Sequence, residues 1–561
     1  MRLPSPQRLG LPERFANWRL TQERAILALL EAEERFSGVN APTGSGKTAT
    51  AIGVAQLLPD DQRVLILTST KALQSQVERE FYSMGLRDVR GKSNYVCVAA
   101  SETNGSGESG DSLTNTVSVD HGPCFVLGTP CVLAQGGCTY FDATRAAREA
   151  RIVSMSYAKW ISTSDPDKEF GKFDWLIADE AGDAEQWLTD SLRVDLRRNE
   201  VESLLGVSWP SREAGVGNTT IADWREWARH NKGALDAAVR SCDALVKQAV
   251  ASGRSASREL VGKSATLRNV AKAFTTLLTM RGDWVLDSLT VYSRPIGVVF
   301  DAVWPAPYAE SMLWRGIERV VLMGATLVEK HMDILGVPRG DRSFAAYPSL
   351  FPIANRPIVF VKCSPPLKMS YTLEKDEAVR ARASEIGDQL MRDRADRKGL
   401  VHTVSYARRD WLVARSGHRE RLITHAKTSE ATQAAVERFK AMSQDSGAVL
   451  VSPSISTGWD FPGTAAEWCW IPKLPFENRD SALIKARIAI DPKYLDFKMA
   501  NTLTQMIGRL VRSASDMGEA IISDAQFGWH PWANRELYAK HVLDAIRVSE
   551  GVPRPPRRIG G

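Results

Sequence analysis

The chain has 561 residues, which is more than one hydrophobic core supports, so several domains are expected. Its composition, 43% hydrophobic and 25% charged with a net charge of +6, is that of a globular protein and permits a polyanionic partner without requiring one. No run approaches the roughly 20 apolar residues of a membrane-spanning helix, and no signal-peptide pattern opens the sequence, so we expect a cytoplasmic protein without membrane contact, in a host cytoplasm if the chain is viral.

The first 90 residues alternate predicted strands and helices. A strand ending at Asn40 leads into a glycine-rich loop, and a helical run follows from Thr48 to Leu58. A second buried strand is predicted at 63–68, and an amphipathic helix at 71–84. This β-α-β-α order predicts a parallel sheet covered by helices.

The loop Ala41-Pro-Thr-Gly-Ser-Gly-Lys-Thr48 has the pattern of a phosphate-binding loop. Gly44 and Gly46 allow backbone N–H groups to point at phosphate oxygens, while the Lys47 ammonium binds phosphate charge and the Thr48 hydroxyl is suited to Mg²⁺. The loop lies between a strand and a helix, as this chemistry requires. We therefore predict an ATP–Mg²⁺ site formed by Thr43, Gly44, Ser45, Gly46, Lys47 and Thr48.

Residues 91–144 interrupt the alternation and contain four of the seven cysteines, Cys97, Cys124, Cys131 and Cys138. A stretch rich in Gly, Ser, Thr and Asn at 101–118 predicts a flexible loop between the first two. Four thiolates can hold a [4Fe–4S] cluster or a zinc ion, and the spacing alone does not decide between them. The other cysteines, Cys242, Cys363 and Cys469, are predicted to be packing residues.

Residues 145–195 return to the first sheet, with predicted strands at 151–154 and 175–178. The second of these ends in the acidic box Asp179-Glu-Ala-Gly182. Ligands of such sheets bind at the carboxyl ends of the strands. Asp179 is therefore predicted to hold Mg²⁺, and Glu180 to orient the attacking water.

Residues 196–310 are predicted to form a helical insert, because apolar residues recur at helical spacing from Trp224 to Ala249 and from Leu267 to Leu278. Residues 311–346 complete the first lobe. Residues 347–561 are predicted to form a second α/β lobe with a disordered basic tail from Pro553 onward. Its strands are predicted at 358–361, 399–401, 448–451 and 520–522.

The segment Gln505-Met-Ile-Gly-Arg509-Leu-Val-Arg512 in this second lobe is predicted to be a helix with both arginines on one face. An arginine from a second lobe can reach the γ-phosphate and stabilise the charge of the transition state. Hydrolysis would then require the two lobes to close around the nucleotide.

In this order the motifs resemble those of superfamily 2 helicases and, within them, the DinG/XPD family of iron–sulphur helicases. The resemblance covers most of the chain. Arg19-Leu-Thr-Gln22 resembles the adenine-reading Q motif, Leu67-Thr-Ser-Thr70 motif Ia, Gly324-Ala-Thr-Leu327 motif III, Ser456-Thr-Gly-Trp-Asp-Phe461 motif V, and Gln505 to Arg512 motif VI. The resemblance adds Gln22, Gly458 and Asp460 to the nucleotide-binding residues. The implied catalytic set is Lys47, Thr48, Asp179, Glu180, Gln505, Arg509 and Arg512.

The resemblance implies an α/β fold of two RecA-like parallel-sheet motor lobes, with an iron–sulphur insert and a helical Arch-like insert in the first lobe. It implies a monomeric ATP-dependent DNA helicase that moves 5′→3′ on single-stranded DNA and unwinds forked or tailed duplexes in replication, repair or recombination. An RNA–DNA hybrid is a further candidate substrate. It favours a [4Fe–4S] cluster over zinc at the four cysteines.

Two residues depart from the family pattern. Gly182 stands where the family usually has a histidine that links the nucleotide state to nucleic-acid contacts, and Gly324 replaces the first serine of motif III. A second hypothesis is therefore a nucleic-acid-stimulated ATPase that binds or remodels nucleic acid without unwinding it. The predicted contacts with the nucleic-acid backbone are Arg90, Lys92, Thr68, Ser69, Ser405, Tyr406 and Arg408, and the predicted stacking residues are Tyr157, Trp160 and Trp459.

Overall fold

The structure is a computed structural model of the chain. It describes residues 3–101, 117–126, 131–251, 258–370, 372–455, 459, 461, 463–511, 513 and 516–556.

The strands in these residues form two seven-stranded sheets and one three-stranded sheet. In chain order they are β1 (Phe36–Asn40), β2 (Val64–Thr68), β3 (Leu86–Val89), β4 (Ile152–Ser156), β5 (Trp175–Ala178), β6 (Val194–Arg197), β7 (Trp284–Val291), β8 (Arg294–Ala302), β9 (Arg319–Gly324), β10 (Arg342–Ala346), β11 (Ile358–Lys362), β12 (Gly399–His402), β13 (Leu422–Ile423), β14 (Val449–Ser452), β15 (Trp468–Ile471), β16 (Glu519–Ile522) and β17 (Ile546–Glu550).

Helices connect and cover these strands. In chain order they are α1 (Leu20–Glu31), α2 (Lys47–Leu57), α3 (Lys71–Phe81), α4 (Val98–Ser101), α5 (Pro123–Val126), α6 (Thr139–Glu149), α7 (Tyr157–Ser162), α8 (Pro166–Phe170), α9 (Ala184–Leu192), α10 (Arg198–Leu205), α11 (Ile221–Ala251), α12 (Arg258–Thr279), α13 (Ala306–Ala309), α14 (Glu329–Ile334), α15 (Glu377–Asp393), α16 (Tyr406–Arg415), α17 (Ser429–Ala441), α18 (Ala482–Ile490), α19 (Tyr494–Ile507), α20 (His530–Ala533) and α21 (Lys540–Leu543).

The first sheet has the strand order β10-β1-β9-β5-β2-β4-β3, and every pair in it is parallel. Its central strands are continuous apolar runs because helices cover both faces of the sheet, and Leu65, Ile177 and Leu322 are all fully buried. The order β1-β9-β5 leaves one strand between the phosphate-binding loop, which follows β1, and the acidic box, which follows β5. Both motifs therefore lie at the same edge of the sheet.

The second sheet has the order β13-β14-β12-β15-β16-β11-β17 and is also parallel throughout. The predicted α/β fold with two parallel sheets is confirmed. Sequence reasoning missed the four edge strands, β3, β10, β13 and β17, and it also missed β15, which is buried inside the second sheet. Edge strands are covered on fewer sides, so their side chains are mixed in polarity and the buried-strand pattern is weak.

The insert at 196–310 is not only helical. The long helices α11 and α12 pack on each other, but β6, β8 and β7 add an antiparallel sheet beside them. The hairpin between β7 and β8 turns at Tyr292 and Ser293, which both have positive φ. Such turns usually contain Gly or Asn, so this pair carried no turn signal in the sequence.

The two inserts contact each other and the second lobe. Arg268 of α12 donates a hydrogen bond of 2.7 Å to the carbonyl oxygen of Phe125, in the cysteine-containing segment. Asp287 of β7 accepts a long hydrogen bond of 3.5 Å from the backbone N–H of Ala482, at the start of α18. In the described part of the chain, no helix combines the length and apolar character needed to cross a bilayer.

The two lobes are joined by a buried arginine. Arg487 of α18 donates 2.7 Å hydrogen bonds to the Glu185 carboxylate of α9 and to the carbonyl oxygen of Val303. Lys498 of α19 forms a second ion pair with Glu185, at 3.2 Å. Because these charges are buried and paired, breaking them would leave unpaired charge inside the protein, so they fix the lobes relative to each other on this side.

Candidate nucleotide cleft and cysteine cluster

The phosphate-binding loop is built by two left-handed glycines. Gly44 and Gly46 have φ of +74° and +81°, conformations that favour glycine, and α2 begins at Lys47. A Cβ at Gly46 would lie 2.3 Å from Nε2 of Gln22, so a larger residue would have to displace the end of the Gln22 side chain as well as adopt a strained backbone. The loop therefore presents its N–H groups and the start of α2 to a phosphate.

Gln22, predicted to read adenine, lies behind this loop. Its Nε2 donates to the Gly46 carbonyl oxygen at 3.2 Å, and its Oε1 accepts from the backbone N–H of Arg19 at 3.0 Å. Arg19 in turn donates to the carbonyl oxygen of Gly44. In this structure Gln22 braces the loop, and its contact with adenine stays a prediction.

The acidic box lies beside the loop. Asp179 follows β5 and is buried, and its Oδ1 accepts from the backbone N–H of Glu180 at 2.9 Å. Glu180 has a φ of 48°, an uncommon left-handed conformation for a residue with a side chain. In this conformation, Oε1 of Glu180 lies 3.2 Å from Nζ of Lys47. The structure thus brings Lys47, Asp179 and Glu180 together.

Burial raises the pKa of the Asp179 carboxyl to about 6, although the nearby Lys47 ammonium lowers it. Burial, followed by the charge of Glu180, also raises the pKa of Asp183. Clustered carboxylates with raised pKa values are favourable places for a divalent cation, since the cation offsets their mutual repulsion.

We expect Asp179→Asn to stabilise the nucleotide-free protein at pH 8. Between the unfolded pKa of 3.8 and the folded value of about 6, the folded protein binds a proton that the unfolded chain lacks, so stability falls as the pH rises through this window. Replacing the carboxylate with an amide abolishes this loss of stability, which is about 3 kcal/mol. Urea unfolding at pH 8 and pH 4 measures the free energy of unfolding of both proteins. A variant that is less stable than wild type at pH 8 would contradict the prediction.

The second lobe reaches the same cleft through α19 and the turn after it. Nε2 of Gln505 donates to Oδ1 of Asp183 at 3.3 Å, across the lobe boundary. A Cβ at Gly508 would lie 3.6 Å from the Thr43 hydroxyl of the phosphate-binding loop. The predicted helix through both arginines is wrong: α19 ends at Ile507 with Gly508 as its C-cap, and Arg509 lies in the turn that follows.

These residues line one cavity of about 420 Å³ between the two sheets. Its wall includes Thr43 of the loop, Glu180 of the box, Thr326 of the motif III segment and Arg509 of the second lobe. Nη1 of Arg509 donates to the carbonyl oxygen of Trp459 at 2.6 Å. Two carboxylates and an opposing arginine around one cleft, with Lys47 paired to Glu180 beside it, suit a nucleoside triphosphate with a divalent cation. The predicted residues Gly458, Asp460 and Arg512 lie outside the described residues.

Sequence reasoning missed three titratable residues of this cleft, Asp183, Arg356 and His541. Arg356 donates a 2.7 Å hydrogen bond to the His541 carbonyl oxygen, and burial lowers the pKa of His541 to about 4, so its imidazole is neutral. Asp183 directly follows the box and could have been included in it. Arg356 and His541 belong to no motif, and only the packing of β11 and α21 beside the cleft identifies them.

The four cysteines of the insert line one small cavity, of about 10 Å³. The backbone N–H of Cys131 donates to Sγ of Cys124 at 3.0 Å, and a Cβ at Gly122 would lie 2.6 Å from Sγ of Cys97. In the part of the chain that is described, no group of three or more His, Cys, Asp or Glu residues is arranged to hold a metal ion. The donor set therefore suits a thiolate-bound centre by its chemistry, while the sulphur positions do not form a ready single-ion site.

Several predicted nucleic-acid contacts are buried instead. Tyr157 is fully buried and donates to the Asp179 carbonyl oxygen at 3.0 Å, and Trp160 is also buried, so neither can stack on a base. Arg408 is buried and pairs with Glu374. Arg90, which is partly exposed, forms ion pairs within its own lobe, with Asp88 at 3.0 Å and Glu78 at 3.1 Å. These four predictions are wrong or weakened, because the sequence does not show which side of an element faces the core.

Two models of known protein families match this chain, one in each lobe. The family model described as "Helicase C-terminal domain" matches residues 391–540, which include Gln505 and Arg509. The model described as "Type III restriction enzyme, res subunit" matches residues 15–186, which include the phosphate-binding loop and the acidic box.

One helicase sequence and two XPD structures are also similar to this chain. A probable ATP-dependent helicase of Methanocaldococcus jannaschii is 32% identical over 123 residues, which cover 19% of this chain and 18% of that relative. An XPD helicase structure superposes with a TM-score of 0.58 at 15% identity, covering 95% of this chain and 99% of the other. Xpd4 of S. tokodaii gives 0.56 at 14% identity, covering 95% and 100%. The structural matches establish the fold.

Two parallel-sheet lobes thus surround a cleft with a phosphate-binding loop, an acidic box and a second-lobe arginine, and the two family models match parts of the first and the second lobe. Over 95% of the chain the fold is that of the XPD structures, whereas the helicase relative is matched over only 18% of its own length.

Proposed function

We propose that the chain is an ATP-dependent DNA helicase that moves along single-stranded DNA in the 5′→3′ direction and unwinds tailed or forked duplexes. The observation that carries the proposal is the cleft, in which Glu180 of the first lobe, paired with Lys47, faces Gln505 and Arg509 of the second. The choice of DNA and the direction of movement rest on the resemblance to XPD-type helicases.

The cleft geometry supports a hydrolysis cycle. An incoming γ-phosphate would compete with Glu180 for the Lys47 ammonium, which now lies 3.2 Å from the carboxylate. The released Glu180 would then orient the attacking water, while Asp179 and Thr48 hold Mg²⁺. Arg509 would stabilise the transition state after the lobes close, so each hydrolysis event would be coupled to lobe movement.

Contacts between the two inserts support passage of one strand. We assign residues 91–144 to a cysteine domain and 196–310 to an Arch-like domain, between first-lobe parts at 1–90, 145–195 and 311–346 and a second lobe at 347–561. The Arg268–Phe125 hydrogen bond joins these domains, and Asp287 approaches the second lobe. Together they would enclose a path for a single strand beside the motor.

We further propose that Cys97, Cys124, Cys131 and Cys138 hold a [4Fe–4S] cluster. The supporting observation is that all four side chains line one cavity. When bound, the cluster would cross-link loops that are distant in the chain, and thereby stabilise a small domain with little apolar core of its own. Zinc is the alternative occupant of the same thiolates.

Strand displacement tests the helicase proposal. Wild-type protein with ATP is expected to separate a duplex with a 5′ single-stranded tail but not one with a 3′ tail, and single-stranded DNA is expected to stimulate ATP hydrolysis. Lys47→Ala serves as the inactive control that should still bind single strands, because its contact is with phosphate of the nucleotide.

The other outcomes are equally informative. Stimulated hydrolysis with no displacement of either duplex would establish the remodelling ATPase instead. Displacement only of the duplex with a 3′ tail would contradict the proposed 5′→3′ direction. Stronger stimulation of ATP hydrolysis by RNA than by DNA would contradict DNA as the substrate.

A further inference from the structure

A side chain at Gly182, the last residue of the acidic box, would fit only tightly. The φ of Gly182 lies outside the left-handed region, so its conformation does not require glycine. A Cβ built there would lie 3.0 Å from the Thr326 hydroxyl and 3.3 Å from Nε2 of His331. The imidazole of His331, from α14, therefore occupies the space that a side chain at residue 182 would need.

Nδ1 of His331 lies 3.1 Å from the backbone nitrogen of Val328 and 3.2 Å from the carbonyl oxygen of the same residue. Burial lowers the pKa of His331 to about 4, so the ring is neutral at pH 7. In the tautomer in which Nδ1 accepts from the Val328 N–H, the ring proton is on Nε2. Among the described residues, this buried Nε2–H has no hydrogen-bond partner.

The second lobe supplies a matching acceptor. The ring of Phe497, on α19, packs edge-on against the His331 imidazole with centroids 4.7 Å apart. Asn501 lies one turn further along α19 and interacts with the same imidazole. Its Oδ1 is also buried without a hydrogen-bond partner in the described part of the chain. An unpaired donor of the first lobe thus neighbours an unpaired acceptor of the second.

These residues share one face of α19 with the cleft residues. Lys498, Asn501 and Gln505 are spaced by three and four residues, which places them on one face of the helix. Lys498 pairs with Glu185 at 3.2 Å, and Gln505 reaches Asp183 at 3.3 Å. Asn501 lies between these two contacts across the lobe boundary, so a movement of α19 that brings Arg509 toward the nucleotide would also change the Asn501–His331 distance.

We propose that His331 is a positioning residue that couples the acidic box and Thr326 to the second lobe, through an Nε2–H hydrogen bond to Oδ1 of Asn501 that forms as the lobes close. His331 would occupy the space beside Gly182 and act there in place of a histidine in the box itself. Its Nε2 is inaccessible to solvent, so it acts through its neighbours rather than by touching nucleotide or DNA. This inference rests on the proposed nucleic-acid-stimulated ATP hydrolysis.

The test is the ratio of ATP hydrolysis with and without single-stranded DNA. In His331→Leu and Asn501→Ala, the ratio is expected to fall roughly five- to tenfold, the effect of one buried hydrogen bond. The double variant should lose no more than either single variant, because both remove the same interaction. His331→Gln keeps an N–H near the Nε2 position and should recover at least half of the ratio.

The glycine provides a matched pair of variants. Gly182→Ala should lower the ratio by displacing His331, whereas Gly340→Ala, where a Cβ meets open space, should not. Thermal unfolding identifies any variant that fails to fold. If His331→Leu fails to fold, the stimulation ratio of His331→Gln decides whether the hydrogen bond is needed. A wild-type ratio in His331→Leu, or losses that multiply in the double variant, would overturn the inference alone. A wild-type protein that single strands do not stimulate would instead overturn the proposed function.

Discussion

Arg509→Ala is expected to reduce the rate constant of ATP hydrolysis by about 1000-fold, while ATP binding changes only a few-fold. An arginine that reaches the γ-phosphate from a second domain contributes roughly 10³–10⁵ to the rate constant of phosphoryl transfer, because it stabilises charge that develops only in the transition state. Arg509 lines the cleft and donates to the Trp459 carbonyl oxygen. Closure of the lobes would turn its guanidinium toward the phosphate.

Single-turnover hydrolysis and a fluorescent-nucleotide titration separate the two effects. Arg509→Lys should not restore the rate, because an ammonium cannot make the forked contact of a guanidinium. Arg438→Ala is the matched control, since it removes the same charge from an exposed site on α17 of the same lobe. Hydrolysis by Arg509→Ala at more than a tenth of the wild-type rate would show that the second lobe does not complete the active site.

Cys131→Ser is expected to abolish duplex unwinding and to remove the bound iron, while ATP hydrolysis without DNA stays within about threefold of wild type. Cys131 lies in the cavity shared by the four cysteines, and its backbone N–H already binds Sγ of Cys124. Three thiolates hold a [4Fe–4S] cluster poorly, so the domain would lose its cross-link. The nucleotide cleft shares no lining residue with this cavity, so the chemistry there should persist.

Metal analysis of anaerobically purified protein, its visible absorption and strand displacement measure these effects together. Cys363→Ser is the control, because this buried cysteine follows β11 in the second lobe. Full unwinding by Cys131→Ser would contradict the structural role of the cluster. Stoichiometric zinc and no iron in the wild-type protein would show that the four cysteines hold zinc instead of the cluster.

The chemistry of the first lobe was readable from the sequence because it is local. The phosphate-binding loop needs its glycines and Lys47 within a few residues, and the acidic box directly follows a buried strand, so neighbours in the chain are neighbours in space. The strand order β1-β9-β5 then brings the two motifs to one edge. The two parallel sheets followed from strand and helix periodicity for the same reason.

Side-chain direction was not readable in this way. Tyr157 and Arg408 sit in segments that suggested nucleic-acid contacts, yet both are buried by neighbouring elements. The antiparallel sheet of the helical insert was missed because its hairpin turns at Tyr292 and Ser293 without a glycine or asparagine. The helix predicted through Arg509 stopped earlier, at Gly508.

By itself, the sequence determined the two α/β lobes, the phosphate-binding loop, the acidic box and the four cysteines, since each depends on residue type and short spacing. Only the tertiary structure decided which distant groups meet: Gln505 with Asp183, Arg356 with His541, and His331 with Gly182 and Asn501. Such pairs depend on how whole sheets and helices pack, and packing is set by many weak contacts that leave no pattern between two positions far apart in the chain.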